Sequence, residues 1–179
     1  MNISYLILLS IWLMLPAYIS NPSAALFGGG IPIDFGKRLK DGYRVFGDGK
    51  TYRGLIIGTL CGILIGLIQN ILSPYIGLPR FPILALFCLS FGSLFGDLTK
   101  SFFKRRLGLE RGAPLPLLDQ LDFVFGSWLL SFIFVREWFL NSFLYEYGNV
   151  IIVILIVTPL LHLSVNYIGY KLGVKKEPW

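Results

Sequence analysis

FPILALFCLSFGSLFGDLTKSFFKRRLGLERGAPLPLLDQLDFVFGSWLLSFIFV, residues 81–135, is the stretch on which the fold turns. One apolar run, Phe81–Gly96, ends at Asp97; another, Phe123–Val135, starts just after Asp119 and Asp122. Between them stand Lys100, Lys104, Arg105, Arg106, Glu110 and Arg111. Neither run alone supplies the roughly 20 apolar residues that cross ~30 Å of hydrocarbon. Each must absorb polar neighbours, which draws Asp97 and Asp122 to the membrane boundary. A carboxylate costs about 2.5–3.5 kcal/mol at the centre of a membrane helix and less toward its ends. Such groups are tolerated where they face a wet cavity, pair with cations or bind a metal.

Further uncharged windows flank this stretch: Met1–Ile33, Gly54–Pro79 and Tyr147–Tyr170. Pro16, Asn21–Pro22 and Gly28–Gly30 are expected to shorten the first to Ile3–Ser20. A chain of 179 residues that is 55% hydrophobic and 15% charged, with mean hydropathy +0.69, is no soluble domain. The expectation is an all-α polytopic membrane protein, a single transmembrane domain over residues 1–179. Five transmembrane helices are placed near residues 3–20, 54–73, 81–99, 118–136 and 147–170, with polar loops at 21–53 and 100–117. The first span lacks a basic n-region and a small-x-small cleavage site, so it reads as retained. Cys61 and Cys88 each lie inside a span and read as packing residues.

Fourteen of the sixteen Lys and Arg residues fall in the two polar loops and the C-terminal tail; only Arg80 and Arg136 lie on the other side. Short loops follow the positive-inside rule, which puts the N-terminus outside and the C-terminus in the cytoplasm of a multi-pass cell-membrane protein. Topology also accounts for the net charge of +6, so nucleic acid is not expected as a partner. It does not account for eight of the ten acids lying on that same side. Mixed charge of this density points to a site on the cytoplasmic face.

The first loop carries Leu26-Phe-Gly-Gly-Gly-Ile-Pro-Ile-Asp34-Phe-Gly-Lys37 and then Gly47-Asp48-Gly49-Lys50-Thr51-Tyr-Arg53-Gly54. Glycines allow tight turns whose N–H groups converge on an anion, and Lys50, Thr51 and Arg53 stand at a helix entry that itself favours phosphate. The Gly-Lys-Thr string lacks the glycine spacing and preceding strand of a P-loop, which excludes that motif. In the second loop Asp97, Lys100, Ser101 and Lys104 share one helix face, and Asp119 and Asp122 sit one turn apart. Pro114 and Pro116 turn the chain back, so the acids should meet at one membrane face. Hard oxygen ligands beside cations suit one or two Mg²⁺ ions and a polyphosphate. The plainer alternative is structural pairing, Asp97 with Lys100 or Lys104 and Asp119 with Arg111.

Gly96-Asp97, Lys100-Ser101-Phe-Phe-Lys104-Arg105-Arg106 and Pro114 to Asp119-Gln120-Leu121-Asp122 resemble the phosphatidate cytidylyltransferases. Their Lys-Asp pair is replaced here by Glu110-Arg111, their His-Gly-Gly is missing, Gln120 replaces an Arg, and the chain lacks several of their spans. The shorter archaeal branch, the CDP-archaeol synthase family, resembles the chain almost throughout, both glycine-rich strings of the first loop included. That resemblance implies transfer of CMP from CTP to 2,3-di-O-geranylgeranylglycerol phosphate, with release of pyrophosphate. It implies Mg²⁺ held by Asp97, Asp119 and Asp122, with Lys104 in the catalytic set. Nucleotide and phosphate contacts would come from Lys37, Asp48, Lys50, Thr51, Arg53, Lys100, Ser101, Arg105, Arg106 and Arg111.

Three alternatives stand beside it. Action on diacyl lipid is one. The CDP-alcohol phosphatidyltransferases also cluster aspartates at a helix end, but their Asp-Gly-x-x-Ala-Arg pattern is absent. A small cation transporter would need acids at mid-membrane and inverted repeats, and neither is seen. Smaller expectations concern Gly58, Gly62 and Gly66, which should allow close helix contact, and Gln69 and Asn70, placed at the interface. His162 and Asn166, one turn apart, could contact substrate, but bonding between helices is the favoured role.

Overall fold

The computed structural model describes residues 2–109, 115, 117–145, 150–171 and 173. Among these the chain is all-α: α1 (Ile3–Leu26), α2 (Tyr52–Ile76), α3 (Ile83–Arg106), α4 (Leu118–Phe134), α5 (Arg136–Leu140), a π-helical turn (Asn141–Tyr145) and α6 (Val150–Lys171). Four of them, α1, α2, α3 and α6, are long and apolar enough to cross a membrane. The fourth expected span is shorter than the other four: α4 has 17 residues. Its chain breaks at Val135 and continues through α5 and the π-turn, where the sequence had suggested a plain connection.

The first helix is longer than expected. It passes through Pro16 and Pro22 to end at Leu26 rather than Ser20. Proline removes the N–H that would bond the carbonyl four residues back, here that of Trp12. The Gln69 side chain of α2 supplies the missing donor, its Nε2 lying 2.9 Å from the Trp12 oxygen. Gln69 is therefore buried, 2% exposed, and not an interfacial residue. Asn70 is structural too. It donates to the Phe81 carbonyl at 2.8 Å and accepts from the Phe81 N–H at 2.7 Å, which fixes the α2–α3 turn.

Thr51 starts α2, its side-chain oxygen accepting from the Gly54 N–H at 3.1 Å, and Gly77 ends it at φ 68°. Glycines set the helix spacing. A Cβ on Gly58 would lie 2.7 Å from the Ser20 carbonyl of α1, and one on Gly92 would lie 2.7 Å from the Gly126 carbonyl of α4. Gly62 meets α1 and α3, and Gly66 meets Leu86 of α3, the small-residue contacts expected of that stripe. Leu9, Leu13 and Met14 of α1, Val124 of α4, Phe143 of the π-turn and Ile154 of α6 form the buried core. Leu60, Leu64, Ile71, Ile152 and Ile156 are exposed, an apolar outer face suited to lipid.

Candidate active site at the polar end of the bundle

The first loop folds around Asp34, whose side chain is fully buried. Its carboxylate accepts from Arg44 Nη2 at 2.5 Å and Nε at 3.2 Å, and from the amides of Gly36, Phe46 and Gly47 at 3.1, 3.0 and 2.9 Å. Burial pushes the acid's pKa up, but these five donors overcome it and hold Asp34 well below the ordinary 3.8. The Asp34 hydrogen bond raises Arg44 in turn. Arg44 also pairs with Asp48 at 2.6 Å, so Asp48 reaches the site as the partner of a cation. Gly47, at φ 99°, makes the turn that aims its amide back at Asp34.

Helices α3 and α4 supply the other wall. At this end a Cβ on Gly96 would strike the Asp122 backbone carbonyl, so the two helices are nearly in backbone contact. That brings three carboxylates onto one ammonium. Lys100 Nζ lies 2.9 Å from Asp122, 3.2 Å from Asp97 and 3.4 Å from Asp119. Lys104 pairs with Asp119 at 2.6 Å, and Lys50 of the first loop pairs with Asp97. The Leu115 N–H donates to Asp119 at 2.6 Å, and Ser101 Oγ donates to the Asp97 carbonyl at 2.9 Å. Charges that would each be costly near hydrocarbon are thus compensated in one network.

A cavity of about 660 Å³ opens beside this network. Of the residues expected from sequence, Asp48, Lys50, Thr51, Asp97, Lys100, Ser101, Lys104 and Arg105 line it. Asp119 and Asp122 join through Lys100 from behind. Lys37 and Arg53 are exposed and do not border it. Arg106 turns the other way: its guanidinium donates to the carbonyls of Arg44 at 2.6 Å and Tyr43 at 3.3 Å, pairs with Asp41 at 3.1 Å and lies 5.2 Å from the Phe102 ring centroid. Arg106 thus grips the first loop and does not face the cavity. Arg111 falls outside the described residues.

The cavity also takes Arg38, Tyr43, Arg44 and Phe46, which sequence reasoning did not single out. They sit in a non-helical loop, where periodicity gives no signal. The one available cue was the interleaving of acids and cations around Asp34. On the other side of Lys50, a smaller pocket of about 80 Å³ runs between α1, α2 and α3, lined by Ala24, Leu55, Leu94 and Leu98 as well as Asp97.

Among the described residues no group of three His, Cys, Asp or Glu has the arrangement of a formed metal site. The donor chemistry fits a hard divalent cation all the same. Three carboxylates from two helices already face a single positive centre, occupied here by an ammonium.

Fold and cavity together define an all-α membrane protein with a densely charged chamber at one end of its bundle. The chain belongs to the CDP-archaeol synthase family, whose model, described as CarS-like, matches residues 3–179. It is 52% identical to the CDP-archaeol synthase of Methanosarcina barkeri and 53% identical to that of Methanococcoides burtonii, each over 178 residues. Each match covers 93% of this chain and the whole of the relative. A solved structure of an intramembrane enzyme for archaeal membrane lipid biosynthesis superposes with a TM-score of 0.70 at 38% identity. It covers 87% of this chain and 91% of that one.

Proposed function

We propose that this chain performs the reaction for which its family is named, moving CMP from CTP onto the phosphate of 2,3-di-O-geranylgeranylglycerol phosphate and releasing pyrophosphate. Family membership assigns CDP-archaeol synthase activity and a place in archaeal ether-lipid synthesis. The observation that carries the chemical reading is the meeting of Asp97, Asp119 and Asp122 on one cationic centre beside a cation-lined cavity.

A lipid phosphate oxygen attacks the α-phosphorus in line and pyrophosphate leaves. The acceptor already carries negative charge at neutral pH, so no general base is needed. Positioning and electrostatic stabilisation do most of the work in such transfers. Asp97, Asp119 and Asp122 would hold Mg²⁺, which when bound neutralises charge on the non-bridging oxygens and the leaving group. Lys50, Lys104, Arg38, Arg44 and Arg105 offer donors to the triphosphate from two walls of the cavity, the arginines through planar forks. Arg38 and Arg44 replace Lys37 and Arg53 in this reading because they border the cavity.

The topology belongs to the same proposal. The whole chain forms one transmembrane unit in which α4 makes a fifth, short crossing, followed by α5 and the π-turn on the outer side. The N-terminus lies outside, and the site faces the cytoplasm, where CTP is. The cation asymmetry supports that orientation.

The test is turnover by the purified protein with CTP, Mg²⁺ and the geranylgeranyl lipid phosphate, with parallel arms for diacyl phosphatidate and for a chelator. CDP-archaeol should form in the first arm and vanish in the third. An Asp122→Ala protein that stays fully active would remove the metal role.

A further inference from the structure

Among the described ion pairs, Lys100 touches all three carboxylates of the acidic cluster, while Lys50 pairs with Asp97 and Lys104 with Asp119. We infer that Lys100 is a built-in counter-ion that holds the carboxylates of α3 and α4 together before a divalent cation arrives, and that it yields its place and moves into the cavity when one binds. This rests on the metal role proposed above and adds a second, sequential duty for the same side chain.

The charge arrangement carries the inference. Among the described residues, three aspartates face three lysines, so their charges balance. Without Lys100, Asp97 would keep Lys50 and Asp119 would keep Lys104, but among the described residues no other cation pairs with Asp122, whose side chain is only 5% exposed. A lone buried carboxylate facing two others is strongly disfavoured, and the ends of α3 and α4 would part. Conversely, a divalent ion bonded to the same oxygens would sit within a few ångströms of the Lys100 ammonium. Two cations that close in a poorly screened site repel strongly, so they exclude each other.

The structure also gives the displaced side chain somewhere to go. Lys100 already borders the large cavity, so leaving the carboxylates takes it into polar space and not into hydrocarbon. There its ammonium meets the region where nucleotide phosphates are placed. The exchange therefore couples metal entry to delivery of one more positive charge to the triphosphate.

The experiment titrates Mg²⁺ alone, without nucleotide, into detergent-solubilised wild-type protein and the Lys100→Met and Lys104→Met variants, following thermal unfolding. Lys100→Met should unfold at a lower temperature than wild type without metal. It should also respond at Mg²⁺ concentrations lower by about tenfold, a coupling of ordinary size between exclusive ligands. Lys104→Met should shift that response far less. An unchanged or weaker Mg²⁺ response in Lys100→Met overturns the inference.

A second measurement needs no variant. The Lys100 amine of the wild-type chain should react several-fold faster with an acylating reagent once Mg²⁺ is added, read by peptide mass spectrometry. Unchanged or slower labelling also overturns the inference. Turnover of CTP by the wild-type chain decides the reaction on its own, so the two readings fail separately.

Discussion

Gly96 of α3 lies against the backbone carbonyl of Asp122 of α4, with no side chain between the turn that bears Asp97 and the turn that bears Asp122. The approach of those carboxylates to one ammonium is therefore set by a missing methyl group. Gly96→Ala should cost about 1–3 kcal/mol, because backbone and not a flexible side chain must yield. Turnover should fall more than stability explains, since the pairs to Lys100 open as the helices part. Thermal unfolding and turnover of the one variant test this; near-wild-type turnover would contradict it.

Asp34 organises the first loop without bordering the cavity. Asp34→Asn should lower stability by about 3 kcal/mol, since Arg44 loses its buried partner. Native Asp34 also makes stability depend on pH, and the sign follows from its lowered pKa. The unfolded chain takes up this proton more readily, so Asp34's contribution is complete above the ordinary carboxylate value of 3.8 and fades as pH falls below it. Between neutral pH and pH 3 the unfolding midpoint should fall less for Asp34→Asn than for wild type.

Arg105 and Arg106 are neighbours in sequence with opposite duties. Arg106 holds the backbone at Tyr43 and Arg44, whereas Arg105 lines the cavity. Arg106→Ala should raise KM for CTP by about tenfold, the effect of roughly 1.4 kcal/mol, as the loop loosens. Arg106→Lys should restore little, because an ammonium lacks the planar fork that sets Nη2 on two carbonyls while Nη1 pairs with Asp41. Arg105→Lys should keep more activity than Arg105→Ala. Equal rescue at both positions would argue against this division.

Gln69→Leu isolates the proline-spanning contact. The Trp12 carbonyl loses its donor, and stability should drop by about 1 kcal/mol, a usual size for a bond between membrane helices. Turnover per folded molecule should stay at the wild-type level, because Gln69 lines neither pocket. A large loss of turnover would mean that α1 transmits strain to the site.

The helical nature of the chain, its long apolar helices and the meeting of Asp97, Asp119 and Asp122 are legible in hydropathy and in the spacing of acids. What escaped was tertiary. Asn21–Pro22 reads as a helix end, yet α1 runs through it to Leu26, and the donor lost at Pro16 is replaced by Gln69, 57 positions from the Trp12 carbonyl it bonds. Arg106 reads as a phosphate ligand until the loop it grips is in view. Arg38 and Arg44 gave no periodic signal, because their placement depends on a loop wound around Asp34. Local pattern specifies helices; the partners of individual side chains come from chain segments far apart in sequence.

With 17 residues at about 1.5 Å of rise each, α4 measures roughly 26 Å, less than the hydrocarbon thickness of an average bilayer. A leaflet that dimples to meet it would lower lipid headgroups toward Asp119 in the helix's first turn and Asp122 just beyond it. Hydrophobic mismatch would then aid substrate delivery, and the rate in reconstituted vesicles should peak in thin bilayers and decline as chain length grows.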